Sequence, residues 1–333
     1  MWTRRDISGR ILAGIAASLW PVRRLRGSEA RPLSIELLLD RFSAPLVDIQ
    51  SCYRADITIQ IFRVPLYRKR GVGGAVANLR QYQGERESAI GISFLAGSNP
   101  EKAGGVNRFG YIEEVVLEES SVPAEAAYFG MMTSSPESSF ESARSALGEA
   151  NRKQAYYAGI DGSLKASRSV STAAAFAASG QYTWFGHPPL TSLMKRALLD
   201  ESSKVTKESR TNPRWSVPVT FLYAVSEAMR QPESKRRARY IYHGREFELE
   251  TSREPDAKKG AVFQESGLVK NWASVLRLEG RSKQIATGET TSFTIWQDSA
   301  DRNALPLRFE FQPKSFLKLT FERDPHVKPP SLT

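Results

Sequence analysis

Two pairs of adjacent glutamates are the residues whose type could support hydrolytic chemistry, Glu113–Glu114 and Glu118–Glu119. A glycoside hydrolase needs two carboxyl groups across a cleft, one of them with a raised pKa so that it can donate a proton. On a strand, adjacent side chains point to opposite faces, and an exposed carboxylate discourages edge-to-edge aggregation. The pairs leave a carbohydrate-active hydrolase as an alternative, but the sequence identifies no catalytic residue.

Histidine, a frequent metal ligand and acid–base residue, occurs at positions 187, 243 and 326. The three are widely separated and match no zinc-binding spacing, so no metal site is predicted. His187 lies among aromatic residues, where a structural role is more typical than catalysis. The chain also has no nucleophile elbow, phosphate loop or dinucleotide fingerprint, and no cofactor is predicted.

Aromatic residues alternate along the predicted strands of the last third of the chain. Their inward face could line a cavity that accepts an acyl chain, and an ordinary packed core is the alternative. The residues predicted to contact an apolar ligand are Tyr242, Phe247, Trp272, Trp296, Phe309 and Phe311. Asp298 and Asp301 should turn outward at a hairpin, so Trp296 is expected to face inward, beside Phe309 or Phe311. Alternation then places Phe293 on the other face.

The first thirty residues have the features of an export signal. Thr3-Arg4-Arg5-Asp6-Ile7 resembles the twin-arginine motif, although Ser8 stands where a second large hydrophobe is usual. The apolar run at residues 11–22 is too short to span a bilayer. We predict a signal peptide at residues 1–30, cleaved after Ala30, and a mature protein in the periplasm or another extracytoplasmic compartment. An ordinary secretory signal or an uncleaved anchor is the alternative.

The chain is basic, with a formal charge of +11, of which residues 1–30 contribute +4 and the mature part +7. This charge suits an anionic envelope surface or polymer, although solubility alone also explains it. The sharpest basic run, Lys235, Arg236, Arg237 and Arg239, is predicted to contact anionic headgroups. The alternative is that the run is simply exposed to solvent at the start of a strand. Nucleic acid is not predicted as a partner, because the protein is predicted to be exported.

An α+β fold dominated by antiparallel strands is predicted, with a hydrophobic content of 41% that suffices for a sizeable core. The core must hold the fold alone, because Cys52 is the single cysteine and no intramolecular disulfide can form. Alternation of period two predicts strands at 55–64, 88–95, 109–117, 128–132, 237–251, 261–263, 273–279, 283–296, 305–312 and 316–321, and favours strands within 151–185. Helical spacing predicts helices at 33–50 (or an extended lead-in), 134–150, 190–199 and 220–229.

Residues typical of turns and linkers suggest how these elements are grouped. Gly71-Val72-Gly73-Gly74 is predicted to form a turn that breaks the chain. Residues 200–213 have almost no apolar side chain and are predicted to be a linker. The chain is therefore divided into a β-rich domain at 31–205, a second domain at 215–324 and a flexible tail at 325–333.

Several short segments of the last third carry a resemblance, namely Leu222-Tyr223, residues 239–249, Thr294-Ile295-Trp296-Gln297-Asp298 and Leu305-Pro306-Leu307-Arg308. In this order they resemble an uncharacterised family of bacterial envelope proteins known only as a domain of unknown function. That family is similar in fold to the LolA-type lipoprotein carriers, in which an incomplete antiparallel barrel wraps around helices. The resemblance implies a half-barrel at 215–324, an envelope location and an apolar cavity, and it carries over no catalytic residue.

The sequence therefore favours an exported, non-enzymatic envelope protein that binds an apolar or anionic envelope molecule or a protein partner. Lipid, an envelope polymer and another envelope protein are the partner classes considered, with peripheral membrane contact at most. An exported carbohydrate-active hydrolase and a structural envelope component remain alternatives.

Replacing both Arg4 and Arg5 by Lys should block export, because the transport route that reads the motif requires the arginine pair. The measurement is the distribution of precursor and mature protein between cytoplasm and periplasm. Precursor retained in the cytoplasm is expected. Unchanged export of a mature form that begins at Arg31 would contradict the twin-arginine assignment and leave an ordinary secretory signal.

Overall fold

The computed structural model describes residues 34–61, 64–134, 156–166, 168–177, 192, 195–196, 198, 204–210, 219–242, 245–301, 305–314 and 316–327. Several predictions concern positions outside the described residues: the export signal with Arg4, Arg5 and Ala30, the histidines His187 and His243, almost all of the predicted helix at 134–150 and most of the one at 190–199.

Within the described residues, fourteen antiparallel strands form one continuous sheet. The strands are β1 (Val47–Ile61), β2 (Val64–Gln83), β3 (Glu87–Ser98), β4 (Phe109–Glu119), β5 (Val122–Ser134), β6 (Tyr156–Lys165), β7 (Arg168–Ala177), β8 (Lys204–Arg210), β9 (Lys235–Tyr242), β10 (Arg245–Pro255), β11 (Val275–Gln284), β12 (Thr290–Asp298), β13 (Arg308–Lys314) and β14 (Leu317–Arg323). The helices are α1 (Ile35–Leu39), α2 (Phe221–Arg230) and α3 (Ala257–Glu265), and a 3-10 turn spans Trp272–Ser274.

Strands that follow one another in the sequence are neighbours in the sheet, with one exception. The order is β8-β7-β6-β5-β4-β3-β2-β1-β14-β13-β12-β11-β10-β9, so the two meanders meet where β1 pairs with β14. That pairing runs from Tyr53 opposite Arg323 to Ile59 opposite Leu317. Strands from both predicted domains, 31–205 and 215–324, thus belong to one sheet, although β8 and β9, which flank the predicted boundary, lie at its opposite edges.

The sheet is strongly curved. The rings of Tyr128 on β5 and Tyr242 on β9 lie 6.3 Å apart, although nine strands separate β5 from β9 in the sheet order. In a flat sheet, ten steps between neighbouring strands would separate them by roughly 48 Å. The sheet therefore curls into a barrel-like shape, and it stays open because β9 pairs only with β10 in the described part of the chain. The predicted class, mostly antiparallel with a curved sheet, is confirmed, and helices contribute less than expected.

Both faces of the sheet bury apolar side chains. On β4, Val115 and Leu117 join a cluster on the outer face beneath α1, whereas Val116 joins the cluster inside the curve. Helix α2 lies inside, with Ala224 packed beside β9 and β10 and Ala228 beside β11 and β12. Helix α2 therefore occupies part of the space that the curved sheet surrounds.

Two predicted interruptions of the sheet are in fact strands. Gly71 to Gly74 lie within β2, where Gly71 has a φ of 62° and a bulge occurs opposite Asp56. Asp56 accepts a hydrogen bond from the Gly71 backbone N–H at 2.9 Å, so a buried carboxylate stabilises the bulge. The polar segment predicted as a linker contains β8, which pairs with β7 and places Thr206 3.0 Å from Thr172. A polar sequence can form a strand when a neighbouring strand offers free backbone groups.

Further element predictions were wrong. The single strand predicted at 237–251 comprises parts of the antiparallel pair β9 and β10, and the one predicted at 283–296 begins in β11 and ends in β12. The strand predicted at 261–263 is part of α3, whose N-cap residue Asp256 accepts a hydrogen bond from the Lys259 N–H at 3.0 Å. The helix predicted at 33–50 is confined to α1, and β1 begins at Val47. In contrast, the helix predicted at 220–229 is present as α2.

Replacing Gly73 by Ala should destabilise the fold, because a Cβ there would lie 2.0 Å from the backbone oxygen of Gly97 on β3. We expect a loss of about 1–3 kcal/mol in the free energy of unfolding, measured by urea denaturation. The control is Gly110→Ala on β4, where the nearest atom is 3.9 Å away. Equal effects of the two substitutions would show that close strand approach at Gly73 is not limiting.

Candidate functional site

The inside of the curved sheet contains a cavity of about 1210 Å³ beside α2. This exceeds the volume of roughly 300–1,000 Å³ that is common for ligand pockets. One wall comes from β2 and β3, another from α2, and the rest from β9–β14. The apolar lining consists of Ala77, Leu79, Ile92, Phe94, Ala96, Ile112, Phe221, Leu222, Val225, Met229, Tyr240, Tyr242, Phe247, Leu276, Phe293, Ile295, Leu305, Phe309, Phe311, Leu319 and Phe321.

Strand alternation brings these side chains to the same surface. Phe309 on β13 stacks on Phe321 of β14 with ring centroids 4.5 Å apart, and it meets Phe94 of β3 edge-on at 5.2 Å. Farther along the wall, Tyr240 stacks on Phe247 at 5.0 Å. The cavity wall therefore contains two groups of aromatic rings in contact, which make it largely apolar.

Four of the six residues predicted to contact an apolar ligand line this cavity: Tyr242, Phe247, Phe309 and Phe311. Trp296 does not, so its predicted inward orientation was wrong. It lies opposite Arg308, whereas Ile295 and Phe293 lie opposite Phe309 and Phe311. The side chains of β12 alternate between the two faces as expected, but Phe293 and Ile295 face the cavity and Trp296 faces outward.

The outer face holds Trp296 in a site of its own. Its Nε1–H donates to Asp256 Oδ2 at 2.9 Å, and the ring packs with Phe263 of α3. The guanidinium of Arg308 lies 5.5 Å from the ring centroid, within the range of a cation–π contact. Helix α3 thus covers an indole that the sequence pattern assigned to the interior. Trp272, also predicted to contact a ligand, is 47% exposed and lies in the 3-10 turn that follows α3.

Glu114 attaches α2 to the interior of the sheet. Its Oε2 accepts hydrogen bonds from the backbone N–H groups of Leu222 at 2.8 Å and Tyr223 at 3.3 Å. The N-cap residue Thr220 makes no capping hydrogen bond with its side chain, so a carboxylate from β4 caps this helix. Burial raises the pKa of Glu114 to about 7, and the hydrogen bonds only partly offset that effect.

Glu118 makes a second link to the same helix. It accepts a hydrogen bond from the Tyr223 hydroxyl at 2.5 Å, while Glu113 accepts one from Tyr111 at 2.8 Å. Neither Glu114 nor Glu118 lines the cavity. Two of the four glutamates that suggested hydrolysis, Glu114 and Glu118, therefore position α2. Sequence reasoning missed this role because it depends on a helix more than 100 residues away.

Polar groups lie at both ends of the cavity. Near the C-terminus of α2, the Met229 carbonyl accepts hydrogen bonds from Gln297 Nε2 at 2.7 Å and Arg253 Nη1 at 3.1 Å. At the opposite end the lining includes Gln284, Glu289 and Thr290. An elongated molecule in this cavity would place its apolar part at the centre and polar groups at an end.

The basic run lies on the edge strand β9, where glutamates neutralise much of its charge. Arg237 is 2.8 Å from Glu250, and Arg239 is 4.0 Å from Glu248. Arg236 is 4.0 Å from Glu227 of α2, and Lys235 is exposed. Contact of these four residues with anionic headgroups remains a prediction.

The described residues contain no group of three or more His, Cys, Asp or Glu side chains arranged to hold a metal ion. In the same part of the chain, no helix has both the length and the apolar character needed to cross a membrane.

No protein-family model matches this sequence, and no curated protein matches it. The chain is weakly similar to several solved structures, two of which are described. One is described as a beta-barrel-like protein of Domain of Unknown Function DUF1849 from Brucella abortus, with 8% identity, a TM-score of 0.45, and coverage of 85% of this chain and 98% of that one. The other comes from work on the in-meso crystallization of membrane proteins, with 7% identity, a TM-score of 0.20 and coverage of 85% and 87%. Because both TM-scores lie below 0.5, neither likeness identifies the fold of this chain.

Replacing Glu114 by Gln should flatten the dependence of stability on pH. A carboxyl whose pKa rises from 4.5 to about 7 on folding binds its proton more tightly in the folded state, so stability falls as pH increases from about 4.5 to 7. This contribution reaches about 3 kcal/mol. Urea denaturation at pH 5 and pH 8 should show a smaller loss for the variant than for the wild type.

Burial also raises the pKa of Asp161 to about 7, but Asp161 is present in both proteins, so the difference between them reports on Glu114. Parallel pH profiles of wild type and variant would contradict the assignment.

Proposed function

We propose that this protein is an exported, non-enzymatic binding protein that holds an elongated apolar molecule, such as the acyl chain of a lipid, in its interior cavity. The observation that carries the proposal is the apolar cavity of about 1210 Å³ between α2 and the aromatic wall of the sheet. Each methylene group buried there would contribute about 0.8 kcal/mol to binding. The non-directional nature of that term suits a lipid better than a polar metabolite.

A packing defect is a poor explanation for a cavity of this volume. Protein interiors are close-packed, and empty space costs about 24 cal/mol per Å³ in stability. For a void of this size the cost would exceed the whole stability of about 5–15 kcal/mol that folded proteins have. The space is therefore better explained as a site that admits solvent or a ligand.

An enzyme is less well supported than a binding protein. The interior carboxylates Glu114 and Glu118 are engaged by α2, and the carboxylates among the cavity lining lie at its ends. The extracytoplasmic location rests on the signal features of residues 1–30, which also favour an envelope lipid over a cytoplasmic one. A structural envelope component remains the alternative if the cavity binds nothing.

A fluorescent polyene fatty acid should bind the purified protein, and Ala77→Trp should weaken that binding about tenfold or more by filling the cavity. Ala77 is buried and lines the cavity. Ala273→Trp is the matched control, because it adds the same indole at an exposed position. Binding is measured by titration of the probe fluorescence, and circular dichroism verifies the fold of each variant.

Val225→Trp places an indole on the α2 wall and provides a second test if Ala77→Trp does not fold. Failure of the folded wild-type protein to bind the fatty acid would contradict the proposal. Equal binding by the cavity variants and by Ala273→Trp would place the probe elsewhere on the protein.

A further inference from the structure

Three hairpins have their turns at one end of the sheet, and we call the described residues around these turns the hairpin end: residues 60–61, 64–70, 284–291, 313–314 and 316–318. The turns join β1 to β2, β11 to β12 and β13 to β14. Ile59 pairs with both Tyr67 and Leu317, and the Gln60 N–H donates to the Phe316 carbonyl at 2.8 Å. The first and third turns are therefore adjacent, and the second belongs to the neighbouring strands.

The first turn has a free strand edge on one side. Pairing of β2 with β3 begins only at Gly73, so residues 64–70 pair with β1 alone, while β1 also pairs with β14 there. The missing β3 neighbour explains why the side chains of residues 65–70 are accessible.

Apolar side chains are concentrated at the hairpin end. The exposed fractions are 61% for Leu66, 53% for Tyr67, 42% for Phe316 and 41% for Ile285. These are four of the nine large hydrophobic residues that are exposed among the described residues. Single exposed hydrophobics are ordinary, but a group of four on neighbouring turns indicates a contact surface.

The charge around these side chains is mostly positive. Among the side chains that the structure describes in the three segments, the basic ones are Arg68, Lys69, Arg70 and Lys318, and the acidic one is Glu289. Arg68 is paired with Asp56 and Lys318 with Glu310. Lys69 and Arg70 are exposed and make no ion pair within the described part of the chain. The hairpin end thus keeps free cations, unlike β9, where glutamates accompany the arginines.

We propose that the hairpin end docks onto an anionic membrane surface. Leu66, Phe316 and Ile285 would insert at the boundary between headgroups and acyl chains, and Tyr67 would lie at headgroup level. Cations near such a surface contribute about 1 kcal/mol each, so Lys69 and Arg70 would add attraction that salt weakens. Charge complementarity selects an anionic bilayer over a neutral one.

This docking surface stands independently of the cavity proposal, because none of its apolar tip residues lines the cavity. Gln284 and Glu289, however, belong both to the hairpin end and to the cavity lining. Docking would therefore bring one end of the cavity to the membrane, where a lipid could enter without crossing bulk water.

The test is co-sedimentation of the purified protein with vesicles of phosphatidylcholine alone and of phosphatidylcholine mixed with phosphatidylglycerol. The wild type should bind the anionic vesicles, less at high salt, and the neutral vesicles weakly. Lys69→Glu with Arg70→Glu should reduce binding about tenfold or more. The matched control is Lys235→Glu with Arg237→Glu on β9, which makes the same change of charge. This variant retains binding if the hairpin end, rather than the basic run of β9, contacts the headgroups.

A second variant, Leu66→Ser with Tyr67→Ser and Phe316→Ser, removes the apolar tips without changing charge and should also reduce sedimentation. Fatty-acid binding by both hairpin-end variants should stay unchanged, which separates the membrane surface from the cavity and verifies the fold. Absence of wild-type binding, or loss in the β9 variant with retention in the hairpin-end variants, would overturn the proposal. Self-association in size-exclusion chromatography that the apolar variant abolishes would instead assign the surface to a second copy of the chain.

Discussion

The pairing of β1 with β14 is the constraint on which the rest of the structure depends. It joins strands that lie more than 250 residues apart in the sequence, and it makes one sheet of two meanders that would otherwise be separate. Because the joined sheet curls, β3 comes to face β13 and β14, and β5 comes to face β9. The cavity exists only as a consequence of that closure. Its walls are contributed by both meanders.

Helix α2 determines how much of the interior remains open. A helix end that is buried without partners leaves several N–H groups unsatisfied, and Glu114 removes that penalty for two of them. In this position the Glu114 carboxylate is buried, and burial raises its pKa. The result is a helix attached at its N-terminus to β4 and packed along β9–β12. One side of the interior is thereby filled, and the aromatic wall across from it stays uncovered.

The two proposals use different physics and different residues. Binding in the cavity would depend on burial of apolar surface, which salt barely affects. Docking at the hairpin end would depend partly on charge, which salt screens. Arginines of β9 are ion-paired, whereas Lys69 and Arg70 near the β1–β2 turn have no ion pair among the described residues. A count of basic residues along the sequence therefore does not identify a charged surface. What matters is whether a carboxylate lies opposite on the neighbouring strand.

Local patterns in the sequence determined the elements: the alternating strands after residue 53, the amphipathic helix α2 and the predominance of antiparallel β structure. They also determined that Trp296 and Phe293 lie on opposite faces, because alternation follows from backbone geometry. Only the tertiary structure decided which face is inside. Apolar groups cover both faces of β12. Helix α2 and side chains of β13 cover one face, and α3 covers the other, so periodicity alone does not show which face is inside. The same holds for Glu113 and Glu114. Their spacing assigns them to opposite faces, but the burial of Glu114 and its role depend on the N-terminus of a helix brought there by the closure of the sheet.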